Sequence, residues 1–165
     1  VPQLATTTIG VFGSGIEEHV ELSEPVGRMI AEAGANLLTG GGGGVMTSVA
    51  RAFVLTPGRA GLSIGIIPCA GEDDRAAPKF GYPNRYVELP IFTHLPYSGE
   101  LGTHDLSRNH INVLSSRALI ALPGGLGTAS ECDLAARYGR PLLIVSGAAD
   151  LDRVAEFLEA HAAPP

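Results

Sequence analysis

LIALPGGLGTASE, residues Leu119 to Glu131, runs from a short apolar segment through a proline and three glycines in four residues to threonine and glutamate. An apolar run ending in a glycine turn that opens a helix is the join between a buried strand and a helix start. Two more such joins precede it. "TTIGVFGSG" carries a strand over Thr8 to Phe12 into Gly13-Ser14-Gly15, and "NLLTGGGGGVM" carries Asn36 to Thr39 into five consecutive glycines, Gly40 to Gly44.

Between the joins, strand and helix patterns alternate. "SEPVGRMIAEAG" places Val26, Met29, Ile30 and Ala33 on one helical face, with Gly34 as a stop, and a helix over Val45 to Leu55 ends before Pro57-Gly58. "GLSIGIIP" is a third apolar strand, residues 69 to 84 have the composition of a surface loop, and "RYVELPIFTH" suits an edge strand. Further on, the pattern predicts helices over Leu106 to Ser116 and Thr128 to Tyr138, strands over Ala118 to Leu122 and Pro141 to Val145, and a closing amphipathic helix, "DLDRVAEFLEAHA". Apolar strands alternating with helices call for a parallel sheet covered on both faces. The expected fold is a single Rossmann-like α/β domain over residues 1–165.

In such sheets ligands bind beyond the carboxyl ends of the strands, where all three glycine turns fall. Glycine lets the backbone approach a ligand closely, and helix starts offer free N–H groups to an anion. Gly13, Ser14, Gly15, Gly41, Gly42, Gly43, Gly44, Gly124, Gly125, Gly127 and Thr128 are therefore the candidate phosphate cradle. "GSGIEE" does not fit the dinucleotide fingerprint G-x-G-x-x-G, and no lysine follows any of the turns as a Walker loop requires.

The formal net charge is −6, Lys79 is the single lysine, and the arginines are scattered. That distribution provides no long-range attraction for nucleic acid or an anionic membrane, though a small phosphorylated ligand can still be bound by local dipoles. Cys69 and Cys132 have no metal-site spacing, and the five histidines are scattered, so no metal is expected. Reduced thiols in a cytoplasmic protein are the simple reading, one disulfide the alternative. No apolar run nears the ~20 residues of a membrane span, and the opening "VPQLATTTIGVF" lacks a leader pattern.

With "SRNHINVLSSRALIALPGGLGTASE" the chain resembles the Lonely Guy proteins, misnamed lysine decarboxylases, and their relatives the molybdenum-cofactor carrier proteins, in the Rossmann-like SLOG superfamily. The family signature P-G-G-x-G-T-x-x-E stands at Pro123 to Glu131, and the arginine upstream of it falls on Arg108. In the hydrolases of this family an arginine and a glutamate remove the base from a nucleoside 5′-monophosphate. The resemblance thus implies Arg108 and Glu131 as catalytic residues of a phosphoribohydrolase that needs no cofactor. Asn109 stands where the hydrolase branch carries lysine, and "GGGGGVM", "RNHINVLSS" and "GLSIGIIP" look more like the carrier branch. The alternatives are a carrier that holds molybdenum cofactor in the same loops and a nucleotide sensor without turnover. Relatives form dimers, and Ile111, Val113, Leu114, Leu134, Ala135 and Ala136 offer apolar surface for a homodimer or higher oligomer.

Physical chemistry also offers plainer roles. Thr128-Ala129-Ser130-Glu131 reads as a capping box, Arg108 as a surface partner of Asp105, His110 as a packed or solvated helix residue, Cys132 as sheet packing, and "GEDDR" as a solvated surface.

Overall fold

The apolar runs become strands, and those in the middle of the sheet are covered on both faces. The computed structural model describes residues 6–163; residues 1–5, part of the stretch read for a leader, lie outside the described residues. In chain order the elements are β1 (Thr8–Phe12), α1 (Val20–Glu32), β2 (Asn36–Thr39), α2 (Val45–Leu55), β3 (Ser63–Ile67), β4 (Cys69–Gly71), β5 (Asp74–Pro78), β6 (Leu89–Phe92), α3 (Asn109–Leu114), β7 (Ala118–Ala121), α4 (Leu126–Arg137), β8 (Leu142–Ile144) and α5 (Leu151–His161). Six strands form one parallel sheet in the order β6-β3-β2-β1-β7-β8. The fold is α/β and Rossmann-like. The chain builds outward from β1 on one side and then crosses to β7 on the other, so the strand order reverses between β1 and β7, which pair from Ile9 with Ala118 to Phe12 with Ala121.

Alternation along the strands divides the core. Ile9, Val11, Leu37, Ile120 and Leu143 face α1, α2 and α5, whereas Phe12, Leu119 and Ala121 face α3 and α4. Of the apolar residues on α3 and α4, Val113, Leu134 and Ala135 are consumed by this second layer, while Leu114 and Ala136 stay exposed. Among the described residues no helix is long and apolar enough to cross a membrane. Cys69 and Cys132 are unbridged thiols.

Four expectations change. Helix α1 starts at Val20, ahead of the expected Ser23, because Leu22 is buried in the core and the Ser23 hydroxyl donates to the carbonyls of Glu18 and His19. Its Ala33 lies past the helix end and is exposed. Residues 69–78, expected as loop, form the antiparallel hairpin β4–β5, whose mostly exposed second strand has no apolar face to reveal it. Helix α3 is shorter than Leu106–Ser116: the chain before it runs through turns, Ser107 bridges to Tyr97, and the helix begins only at Asn109. Helix α4 starts at Leu126 rather than Thr128.

Helices α1 and α2 pack closely across Gly27, where any β-carbon would press into the Val49 carbonyl oxygen and the Ala52 methyl. Gly27→Leu is expected to destabilise the fold by about 1–3 kcal/mol, the range for overpacking a close contact. Urea denaturation measures it, and an unchanged midpoint would mean that the helices separate freely.

Candidate functional site

The three glycine turns meet where the strand order reverses. The Ser14 amide donates to the Pro123 carbonyl (2.9 Å), and the Val45 amide donates to the Ser14 carbonyl (2.9 Å), so the turns after β1, β2 and β7 are tied together by backbone. An open cavity of about 590 Å³ lies against them. Gly13, Ser14, Gly15, Gly125, Gly127, Thr128, Arg108 and Glu131 all line it, and Gly124 lies beside it, exposed. The Ser14 hydroxyl accepts from the amides of Ile16 and Glu17 (3.2 and 2.9 Å) and so holds its own turn in shape.

Gly41 to Gly44 are not part of the cavity wall. The second glycine turn lies behind it and makes room for protein groups. A β-carbon on Gly40 would strike the Arg108 guanidinium, and one on Gly42 would strike the Tyr82 ring and hydroxyl. The Gly42 carbonyl accepts from the Thr47 hydroxyl (2.9 Å) and the Asn84 side-chain amide (2.8 Å), and the Gly41 carbonyl from the Asn84 backbone amide (2.7 Å).

Arg108 is 4% exposed, so it is no surface partner of Asp105. One guanidinium nitrogen donates to Asn109 Oδ1 (2.6 Å), and the nearer Glu131 carboxylate oxygen is 4.0 Å away. Its Nε–H is buried without a partner among the described residues, and so is the Thr128 hydroxyl. Buried donors left unpaired are costly, which makes both natural sites for a ligand oxygen. Intrahelical bonding in α4 begins at the Ala129 amide, which donates to the Gly125 carbonyl (3.1 Å). The free amides ahead of it and the positive end of the helix dipole add to the attraction for an anion.

Glu131 is not a capping-box residue. With α4 starting at Leu126, Glu131 lies in the second turn, too far along to reach back to the helix start. Its carboxylate instead accepts from the Asn112 side-chain amide (3.3 Å) beside Arg108. Burial pushes its pKa up to about 7, against the opposing pull of Arg108 and the Asn112 hydrogen bond. A carboxyl that titrates there can exchange a proton near neutrality.

Other candidates fall outside the cavity. His110 spends Nδ1 on the Tyr138 hydroxyl (2.7 Å) and Nε2 on the His104 carbonyl (3.0 Å), a packing role. Cys132 is half-buried against the α3–α4 layer, its thiol pushed up by burial. The "GEDDR" segment runs from the end of β4 through the exposed tip of the hairpin into the start of β5. Among the described residues no group of three His, Cys, Asp or Glu side chains could hold a metal. Sequence reasoning missed Asn112, Tyr82 and the site role of Lys79. Asn112 lies four residues after Arg108, one helical turn, and that spacing was the available signal.

The pH dependence follows from Glu131. Its folded-state pKa lies above the ordinary 4.5, so the folded protein holds this proton more tightly than the unfolded chain. The associated stability is complete below pH 4.5 and is lost as pH rises to about 7, a change of about 3 kcal/mol. Urea unfolding of wild type and Glu131→Gln between pH 4 and 8 should show their stability difference drifting by about that amount, with wild type losing ground. A difference constant with pH would refute the buried, proton-retaining carboxyl.

Residues 6–163 match the SLOG cluster4 family. An uncharacterized protein of Archaeoglobus fulgidus is 34% identical over 134 residues, 80% of this chain and 75% of that protein. Two solved structures are similar along almost the whole chain. The molybdenum cofactor binding protein of Rippkaea orientalis has 28% identity and a TM-score of 0.67, covering 97% of this chain and 89% of that one. The molybdenum cofactor carrier protein of Chlamydomonas reinhardtii has 28% identity and a TM-score of 0.67, covering 96% and 88%. With all but its ends matched, the chain belongs to the SLOG cluster4 family.

Proposed function

We propose that this protein binds a phosphate-bearing heterocycle, molybdenum cofactor or a nucleoside monophosphate, with the phosphate against the start of α4. The carrying observation is the pair of buried, unpartnered donors in the cavity wall, Arg108 Nε and the Thr128 hydroxyl. A phosphate carries acceptor oxygens for both, and the planar guanidinium suits it. Similarity over nearly the full chain to proteins that bind or carry molybdenum cofactor supports the carrier form of this reading.

A phosphoribohydrolase is the second reading, favoured by Glu131 at about 7 beside Arg108. Cleaving an N-glycosidic bond develops positive charge on the sugar, which a nearby carboxylate stabilises. Under this reading Glu131 serves the sugar and Arg108 the phosphate or the leaving base. A second copy is proposed to pair through α3 and α4, where Leu114 and Ala136 are exposed; a monomer mass by light scattering at micromolar concentration would refute it.

Native mass spectrometry of protein purified without added ligand separates the ligand classes by mass. Gly125→Val tests the seat. Nothing lies within 4 Å of a β-carbon at Gly125, so the fold should keep its stability to within about 1 kcal/mol while the side chain obstructs the phosphate. Phosphate affinity is expected to fall at least tenfold; unchanged affinity would exclude the helix start as the binding point. For the hydrolase reading, wild type should release adenine and ribose 5-phosphate from AMP, or the corresponding products from another monophosphate. Glu131→Gln should lower that turnover by about two orders of magnitude or more. Ligand binding without any such release leaves the carrier.

A further inference from the structure

Among the described residues three charged side chains line the cavity: Lys79, Arg108 and Glu131. Arg108 is already engaged with Asn109 and faces Glu131 at 4.0 Å, so an ionised Glu131 leaves that pair with no net charge. The remaining charge is Lys79, the single lysine of a chain whose formal net charge is −6. Its ammonium pairs with no carboxylate among the described residues. It lies instead 5.7 Å from the centre of the Tyr82 ring, within the range where the ring face attracts a cation.

Lys79 is presented by a clamped strap. At one end the Lys79 amide donates to the Pro68 carbonyl (3.0 Å), just past β3. The Tyr82 amide donates to the Lys79 carbonyl (3.0 Å). At the other end Asn84 bonds the carbonyls of Gly41 and Gly42, and the Tyr82 ring fills the space that the absent β-carbon of Gly42 leaves. The backbone is thus fixed to the strand ends, while the lysine side chain stays exposed and can swing. Lys79 and Tyr82 line the same cavity as Gly125, Gly127 and Thr128.

We propose that Lys79 is the specificity-determining cation of this site. It closes on the ligand phosphate opposite the start of α4, so that the cavity selects a dianionic phosphate monoester over the neutral, unphosphorylated compound, and Tyr82 is the positioning residue that holds the ammonium facing the cavity. This rests on the phosphate-binding reading above. A compact ammonium suits the role, because it can leave a ring face for an oxygen without the fixed fork geometry that a guanidinium demands. Its charge also offsets locally the repulsion that an acidic chain exerts on an incoming dianion.

The test is isothermal titration with inorganic phosphate, AMP and adenosine on wild type, Lys79→Met, Lys79→Arg, Tyr82→Leu and Tyr82→Phe, with Gly125→Val alongside. Lys79→Met is expected to weaken phosphate and AMP at least tenfold, to leave adenosine unchanged and to reduce the weakening caused by added salt. Lys79→Arg should recover part of the loss. Tyr82→Leu should weaken AMP several-fold while keeping the salt response, and Tyr82→Phe, which retains the ring face, should restore it. If Lys79→Met binds phosphate and AMP as wild type does while Gly125→Val does not, the role of Lys79 is overturned and the phosphate seat stands. If wild type binds neither phosphate nor AMP, both readings fall together. Lys79 is exposed, so its variants should fold, which circular dichroism verifies.

Discussion

Withdrawing the Arg108 guanidinium from water is the constraint on which the site depends. Burying an ion costs several kcal/mol unless its charge and its hydrogen-bonding capacity are both met. Here the compensation is incomplete. Asn109 takes one nitrogen, Glu131 stands 4.0 Å off, and Nε has no partner. Accommodating this group also shapes its surroundings. Gly40 at the end of β2 must lack a β-carbon, α3 must begin beside Arg108 so that Asn109 and Asn112 fall on the same side, and α4 must carry Glu131 in its second turn. One loop and two helices therefore share one electrostatic requirement, which Nε leaves unmet.

The fold was largely legible because parallel sheets announce themselves. Strands covered on both faces must be apolar throughout, and β1, β2 and α2 fall on the residues that their patterns mark. The misreadings occur where that covering fails. The β4–β5 hairpin has one strand open to solvent, so its composition is that of a loop. The start of α1 depends on where Leu22 finds the core and on which carbonyls Ser23 reaches, both tertiary facts. The shortening of α3 depends on a bridge to Tyr97, ten residues before Ser107.

The site was legible in its outline and misleading in its details. Threonine, two residues and glutamate at a helix start is the same string whether the helix begins before or at the threonine. A two-residue difference in that start converts a cap into a buried carboxyl facing Asn112. The glycine run shows the same ambiguity. Five glycines report that five β-carbons are unwelcome, but not what excludes them, and at Gly40 and Gly42 the excluding groups are Arg108 and Tyr82 rather than a ligand. Asn109 reads as a lost cation in sequence; in the structure it is the acceptor that steadies Arg108. No periodicity joins Lys79 to the cavity, because the strap that carries it is anchored by backbone carbonyls.

Holding a phosphate and cleaving a glycosidic bond make opposite demands on the Glu131 proton. With Glu131 protonated, Arg108 and Lys79 leave two positive charges in the cavity wall, the arrangement that best retains a dianion. With Glu131 ionised, one of those charges is cancelled and a carboxylate is available to stabilise positive charge on a sugar. A bound dianion itself opposes ionisation of a neighbouring carboxyl, so it drives the site toward the first state. Carrying a ligand needs only that state. Cleavage needs the second state to form while the phosphate is still bound, which requires the sugar's developing positive charge to lie close enough to Glu131 to offset both the burial and the nearby anion.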